Sequence, residues 1–210
     1  MRTAPKIKSV ILAGVLIAVV AATGCVVVSL HPLYSPQRGT FDPALVGMWA
    51  EHKDGGGPEG FWQFETIDDG EHAYRLTLQE EEGDPGEFVA RLVEIDGHRF
   101  LDLFPERPEL DASVYYQLHL LPAHGILHVE QIEPTLRLRG IDQDWLAEAL
   151  EADPSRIAHT VVEDDVVVLT APTEALQVFV VELLDEPDAY SDALELRRIE
   201  APAEPDRPTD

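Results

Sequence analysis

From residue 45 to residue 138 the chain repeatedly sets apolar side chains at every second position. Tyr74, Leu76 and Leu78 alternate with Arg75, Thr77 and Gln79, and Phe88, Ala90 and Leu92 alternate with Glu87 and Arg91. A period of two sends one set of side chains to each face of an extended chain, so each run reads as a half-buried strand. Segments 45–52, 61–65, 100–104, 126–132 and 136–138 continue the series, and Val114, Tyr116, Leu118 and Leu120 against Tyr115, Gln117 and His119 predict a further strand over 114–120. Breaks fall at Asp54-Gly55-Gly56-Gly57-Pro58, at Asp96-Gly97 and between Pro122 and Gly125, which are turn-forming compositions. About eight short strands joined by frequent turns predict a mainly β fold, an antiparallel meander curled into a barrel.

The period then changes. Asp142 is placed to cap a helix whose Trp145, Leu146, Ala149 and Leu150 share a face, ended by Asp153-Pro154, and residues 166–169 form a short apolar strand. Thr173 is expected to cap a second helix carrying Leu176, Phe179, Val180 and Leu183, stopped by Pro187. Leu194, Leu196 and Ile199 suggest a last strand before an acidic, proline-rich tail. The C-terminal third is thus expected to add two short helices to the sheet.

The start of the chain has another character. Arg2, Lys6 and Lys8 precede an apolar run over 10–22, followed by Ala22-Thr23-Gly24-Cys25, the layout of a secretory signal. The last four residues resemble the lipobox of bacterial lipoproteins, with Ala22 in place of the usual Leu. The resemblance implies cleavage before Cys25 and attachment of a diacylglyceryl group to its thiol, which is the nucleophile for such chemistry. The expected organisation is a signal peptide over 1–24, a lipid-anchored tether over 25–44, one domain over 45–199 and an acidic tail over 200–210. Val26 stands where an Asp would hold such a protein in the inner membrane, so the expected address is the outer membrane, facing the periplasm.

Charge narrows the partners. The formal charge is −25, and removing the signal, with its three basic residues, makes the remainder more negative still. Nucleic acid is excluded because its phosphates would be repelled, and anionic membrane surfaces are disfavoured, leaving the covalent lipid as the membrane attachment. With Cys25 as the single cysteine no disulfide within the chain can staple the fold. There is no Gly-x-Ser-x-Gly and no phosphate-binding loop, so the chain is read as a non-enzyme with no cofactor.

Gly47-Met48-Trp49 at the start of the first strand of this series resembles the first motif of lipocalins. The stretch from Leu33-Tyr34 through Phe41-Asp42-Pro43-Ala44-Leu45, and later Phe100-Leu101-Asp102-Leu103, is similar to lipocalin-like bacterial lipoproteins. The resemblance implies that Trp49 plugs one end of the barrel under an Arg from the last strand. Arg197 is the expected partner, with Arg198 as the alternative. The second lipocalin motif, Thr-Asp-Tyr, has no match, and two late helices stand where a lipocalin has one. Strand parity directs Trp62, Phe64, Tyr74, Leu76 and Phe88 inward, which implies a small hydrophobic ligand. The alternative is a structural or interaction lipoprotein that binds other envelope proteins and no ligand.

Two polar groups require weighing. His119, His124, His128 and Glu130 are the best candidates for metal ligands, but the neighbours of His119 make its side an ordinary solvated face, and no metal is expected. Asp102 stands among Phe100, Leu101, Leu103 and Phe104. It is expected to be structural, bonded to a backbone amide or to Arg75, Arg91 or Arg99, because a buried carboxylate requires such partners.

Overall fold

The computed structural model describes residues 27–35, 39–52, 60–67, 72–107, 110, 112–162 and 166–200. Cys25, the segment before it and the acidic tail from 201 lie outside the described residues. Two short strands come first, β1 (Val28–Ser29) and β2 (Gly39–Thr40). Then follow β3 (Gly47–Glu51), β4 (Phe61–Thr66), β5 (Ala73–Gln79), β6 (Gly86–Ile95) and β7 (His98–Pro105). A short helix, α1 (Val114–Gln117), precedes β8 (His124–Gln131) and β9 (Thr135–Gly140). The insertion α2 (Gln143–Ala152), β10 (His159–Val161), β11 (Val167–Leu169) and α3 (Thr173–Glu182) separates these from β12 (Leu194–Ile199).

Strands β3 to β9 each pair with the next in sequence, and β12 returns between β9 and β3 to close an eight-stranded antiparallel barrel of lipocalin-like form. Register explains which side chains turn inward. Trp62 lies opposite Leu78, Phe64 opposite Leu76, Leu76 opposite Phe88 and Tyr74 opposite Ala90, and paired residues share a face. Trp62, Phe64, Tyr74, Leu76, Phe88 and Ala90 join Trp49, Leu92, Leu101, Leu127, Leu136, Leu138 and Leu196 in one core inside the barrel. Full burial of such a side chain contributes about 1.5–3 kcal/mol.

Strands β6, β7 and β8 are apolar on their outer faces too. Val93, Phe100 and Ile126 pack there against Leu146 and Leu150 of α2 and Leu176, Phe179 and Val180 of α3, forming a second core outside the barrel. The helices begin for local reasons. The Asp142 carboxylate accepts the Trp145 amide at 2.8 Å and so caps α2 as expected. Thr173 does not cap α3: Pro172 holds that position, and the Thr173 hydroxyl donates instead to the Pro32 carbonyl at 2.7 Å.

Two further expectations are corrected. Residues 114–120 do not form a strand. Val114 to Gln117 make one helical turn, capped by the Ser113 hydroxyl, in the connection between β7 and β8. The eighth barrel strand is β12, which pairs with β9 on one edge and β3 on the other. Nor do residues 27–35 behave as a tether. Val27 and Leu33 are fully buried, and β1 pairs with both β8 and β11. Strand β8 gives its first half to β1 and its second half to β9 on the same edge, so the N-terminal segment satisfies backbone groups that would otherwise be an open sheet edge.

Candidate functional site: the barrel interior and its ends

One end of the barrel is closed from the sequence upward. Asp42 caps a 3-10 turn over Pro43–Leu45 by accepting the Ala44 amide at 3.0 Å, and proline at the first position suits that turn. The turn delivers Leu45 and Trp49, both fully buried. The Trp49 indole N–H donates to the Leu45 carbonyl at 2.9 Å. Above the ring lies Arg198, its guanidinium carbon 4.2 Å from the ring centroid, a cation–π contact. The same guanidinium donates to the Ala44 and Val46 carbonyls at 2.6 and 2.7 Å, so one side chain binds the end of the turn and the indole face.

The expected partner Arg197 is thereby corrected to Arg198. Arg198 stands directly opposite Trp49 in the β12–β3 ladder, whereas Arg197 stands opposite Ala50, and a shift of one residue sends a side chain to the other face. The glycine of the Gly-x-Trp motif has a steric reason here. Gly47 has φ +132°, and a Cβ on it would lie 2.2 Å from Nη1 of Arg198. Only glycine combines that backbone with room for the guanidinium.

Tyr74 belongs to this closed end rather than to a cavity. Its hydroxyl accepts the Asp42 amide at 2.7 Å and donates to the Asp42 carbonyl at 3.2 Å, while Phe41 stacks on its ring at 5.1 Å. Burial pushes the Tyr74 hydroxyl up to about 12. Phe64 meets the ring edge-on at 6.2 Å. Phe64 and Leu76 are also fully buried, so the middle of the barrel is filled by side chains. Trp62 and Phe88 differ: they are only partly buried against the same core. They stand where β4 and β6 begin, Trp62 directly opposite Trp49 in the β3–β4 ladder.

The polar candidates fall outside the barrel. Asp102 is buried on the outer face of β7, where one carboxylate oxygen accepts the Leu33 amide at 2.5 Å and the other accepts Nδ1–H of His124 at 2.7 Å. The expectation of a backbone amide partner fits; His124 was missed in its favour, although both residues occupy outward positions of neighbouring strands. The arrangement fixes the N-terminal segment and presents no open face for a substrate. His128 packs tilted between Phe100 and Tyr190, at 5.2 and 5.6 Å, and burial lowers its pKa to about 4. His119 bonds to its own turn, its Nδ1–H donating to the Tyr115 carbonyl at 2.8 Å. Among the described residues no three His, Cys, Asp or Glu side chains are placed to share a metal ion.

A shallow groove of about 430 Å³ runs between residues 155–158 and α3, lined by Arg156, Ile157, Ala171, Val178, Phe179 and Glu182. Its one cation already bonds Glu186 at 2.6 Å and covers the Trp145 ring, so it brings no convergent polar groups to a ligand. Comparison with protein-family models, with curated proteins and with solved structures finds no match to this chain. The class the fold defines is a closed antiparallel barrel with a capped floor, an apolar interior and a helical layer on one flank. Among the described residues no helix is long and apolar enough to cross a membrane.

Proposed function

We propose that this protein is a lipid-anchored lipoprotein of the bacterial cell envelope whose barrel takes a small hydrophobic ligand at the end where β4 and β6 begin. The observation that carries the reading is the gradient along the barrel interior: Phe64, Tyr74 and Leu76 are fully buried, while Trp62, Phe88 and Leu194 are partly exposed on the same apolar face. A surface of that kind accepts an acyl chain end or an aromatic ring, and it rejects a charged metabolite whose charge would be left unpaired. Filled packing below Leu76 keeps any such ligand shallow. Cys25 supplies the membrane attachment, with two or more acyl chains needed for lasting anchoring, and Val26 favours the outer membrane.

The alternative is a structural or interaction lipoprotein with no ligand, which the filled middle of the barrel favours, since small barrels fill their interiors with side chains. Binding of an apolar fluorescent probe separates the two. Saturable binding weakened at least several-fold by Phe88→Ala or Trp62→Ala, with the fold intact by circular dichroism, supports the carrier. A folded protein that takes up no probe, or takes it up equally well after both changes, leaves the structural reading. Cys25→Ser tests the anchor separately: a signal-bearing precursor is expected, and unaltered processing and membrane fractionation would remove the lipoprotein reading.

A further inference from the structure

The connection between β7 and β8 displays apolar side chains to solvent. Val114, Tyr115, Tyr116, Leu118 and Leu121 are each between 60% and 78% exposed. Residues 112–121 hold no Asp, Glu, Lys or Arg, in a chain where those four types make up 26%. The polar groups of the segment turn inward on themselves. The Ser113 hydroxyl accepts the Tyr116 amide, the Gln117 side-chain amide donates to the Ala112 carbonyl at 2.9 Å, and His119 bonds the Tyr115 carbonyl. A segment that satisfies its own polar groups and points its apolar ones outward is suited to a medium that offers no hydrogen bonds.

Its position suggests the medium. The segment leaves β7 beside the barrel end that carries Phe88, since Pro105 stands opposite Phe88 and the Glu106 amide donates to the Glu87 carbonyl. It re-enters the sheet at His124 and Gly125, the residues paired with Ser29 and Val28. Cys25 precedes Val28 by three residues, a reach of at most about 10 Å, and Leu121 precedes Gly125 by four, at most about 14 Å. Val27 is already fixed in the fold, so a lipid on Cys25 would hold this barrel end close to the bilayer with almost no slack.

We propose that residues 112–121 insert Tyr115, Leu118 and Leu121 into the interfacial zone of the membrane, as a second, non-covalent contact beside the lipid. The proposal rests on the lipid-anchored reading of Cys25. Tyr and Leu suit that zone, where an amphipathic ring sits at headgroup level. The acidic surface of the rest of the chain selects zwitterionic rather than anionic lipid.

The test uses the full chain carrying Leu118→Cys, purified from bacterial membranes. Mass spectrometry of the Cys25 peptide reports the diacylglyceryl group, which leaves position 118 as the free thiol for an environment-sensitive nitrobenzoxadiazole probe. The labelled protein is placed in phosphatidylcholine vesicles containing a spin-labelled lipid quencher. Expected are a blue-shifted emission and quenching at least threefold stronger than for the same probe at Glu94→Cys, an exposed residue at the opposite barrel end. Equal, water-like emission at both positions overturns the proposal while leaving a lipidated Cys25 standing. A blue shift that persists without vesicles overturns it in favour of a protein partner or a second copy of the chain. An unmodified Cys25 removes the lipoprotein reading and the proposal with it, an outcome the mass spectrum distinguishes from failure of the 112–121 contact alone.

Discussion

The barrel interior and the layer outside β6, β7 and β8 share the same strands, yet they are held in different ways. Inside, the contacts are side chains of consecutive hairpins, and hydrogen-bonded side chains cluster at the closed end in Trp49, Tyr74 and Arg198. Outside, polar bonds run through the core itself. Asp102 holds Leu33 across 69 residues of chain, Gln177 holds the Leu33 carbonyl across 144, and Thr173 holds Pro32 across 141. Tyr190 adds a bond from its hydroxyl to the Val180 carbonyl at 2.8 Å. The difference follows from loop closure. A meander sets its register by short turns, whereas segments brought together from distant parts of the chain carry a larger entropic cost and no turn to align them. Directional hydrogen bonds then provide the alignment that apolar contact, being non-directional, does not.

Substitutions can break that contrast. The largest effect is expected at the barrel floor, where Trp49→Ala should lower the unfolding free energy by about 3–5 kcal/mol through the cavity it leaves. Chemical denaturation measures it, and a loss below about 0.5 kcal/mol, the range of surface substitutions, would show the floor to be dispensable. Next comes Asp102→Ala, expected to cost about 2–3 kcal/mol because the Leu33 amide and the His124 ring lose their shared acceptor. Its signature should be regional: amide exchange near Leu33 should accelerate more than exchange in β4 and β5. Uniform acceleration would mean that the two cores are one cooperative unit.

The smallest effect concerns pH and belongs to the outer layer. Burial holds the His128 pKa down at about 4, against 6.5 for an unperturbed histidine. The unfolded chain therefore takes up a proton at a pH where the folded one does not. Stability from this group is fully present above about 6.5 and is lost as pH falls from there toward 4. With the ring partly open to solvent, the loss should be about 1–2 kcal/mol. His128→Gln should flatten that part of the stability profile while leaving the slope below pH 4 unchanged; an unaltered profile would show that His128 is not the titrating group.

The barrel was legible because its signal is local. Tyr74-Leu76-Leu78 and Phe88-Ala90-Leu92 alternate at the strand period, and in the structure they occupy one face of adjacent strands. The same rule failed over 114–120, where alternating residues make one exposed helical turn. Periodicity records which residues can share a face, and a short stretch without a paired neighbour does not keep a strand's conformation. Parity also contained the information to choose Arg198 over Arg197, since Leu194 and Leu196 share its face.

By itself the sequence determined the strand pattern, the helix start at Asp142, the acidic surface and the glycine at position 47, because each depends on a residue's own geometry or on neighbours a few positions away. Tertiary structure alone decided that β12 closes the ring, that residues 27–35 become part of the sheet edge instead of a tether, and that Asp102 meets His124 and Leu33. Those outcomes depend on which distant backbone groups and buried polar atoms still need partners once the barrel has formed. No local pattern records that demand, since an unpaired strand edge and an unsatisfied carboxylate come into being only when the rest of the chain is folded around them.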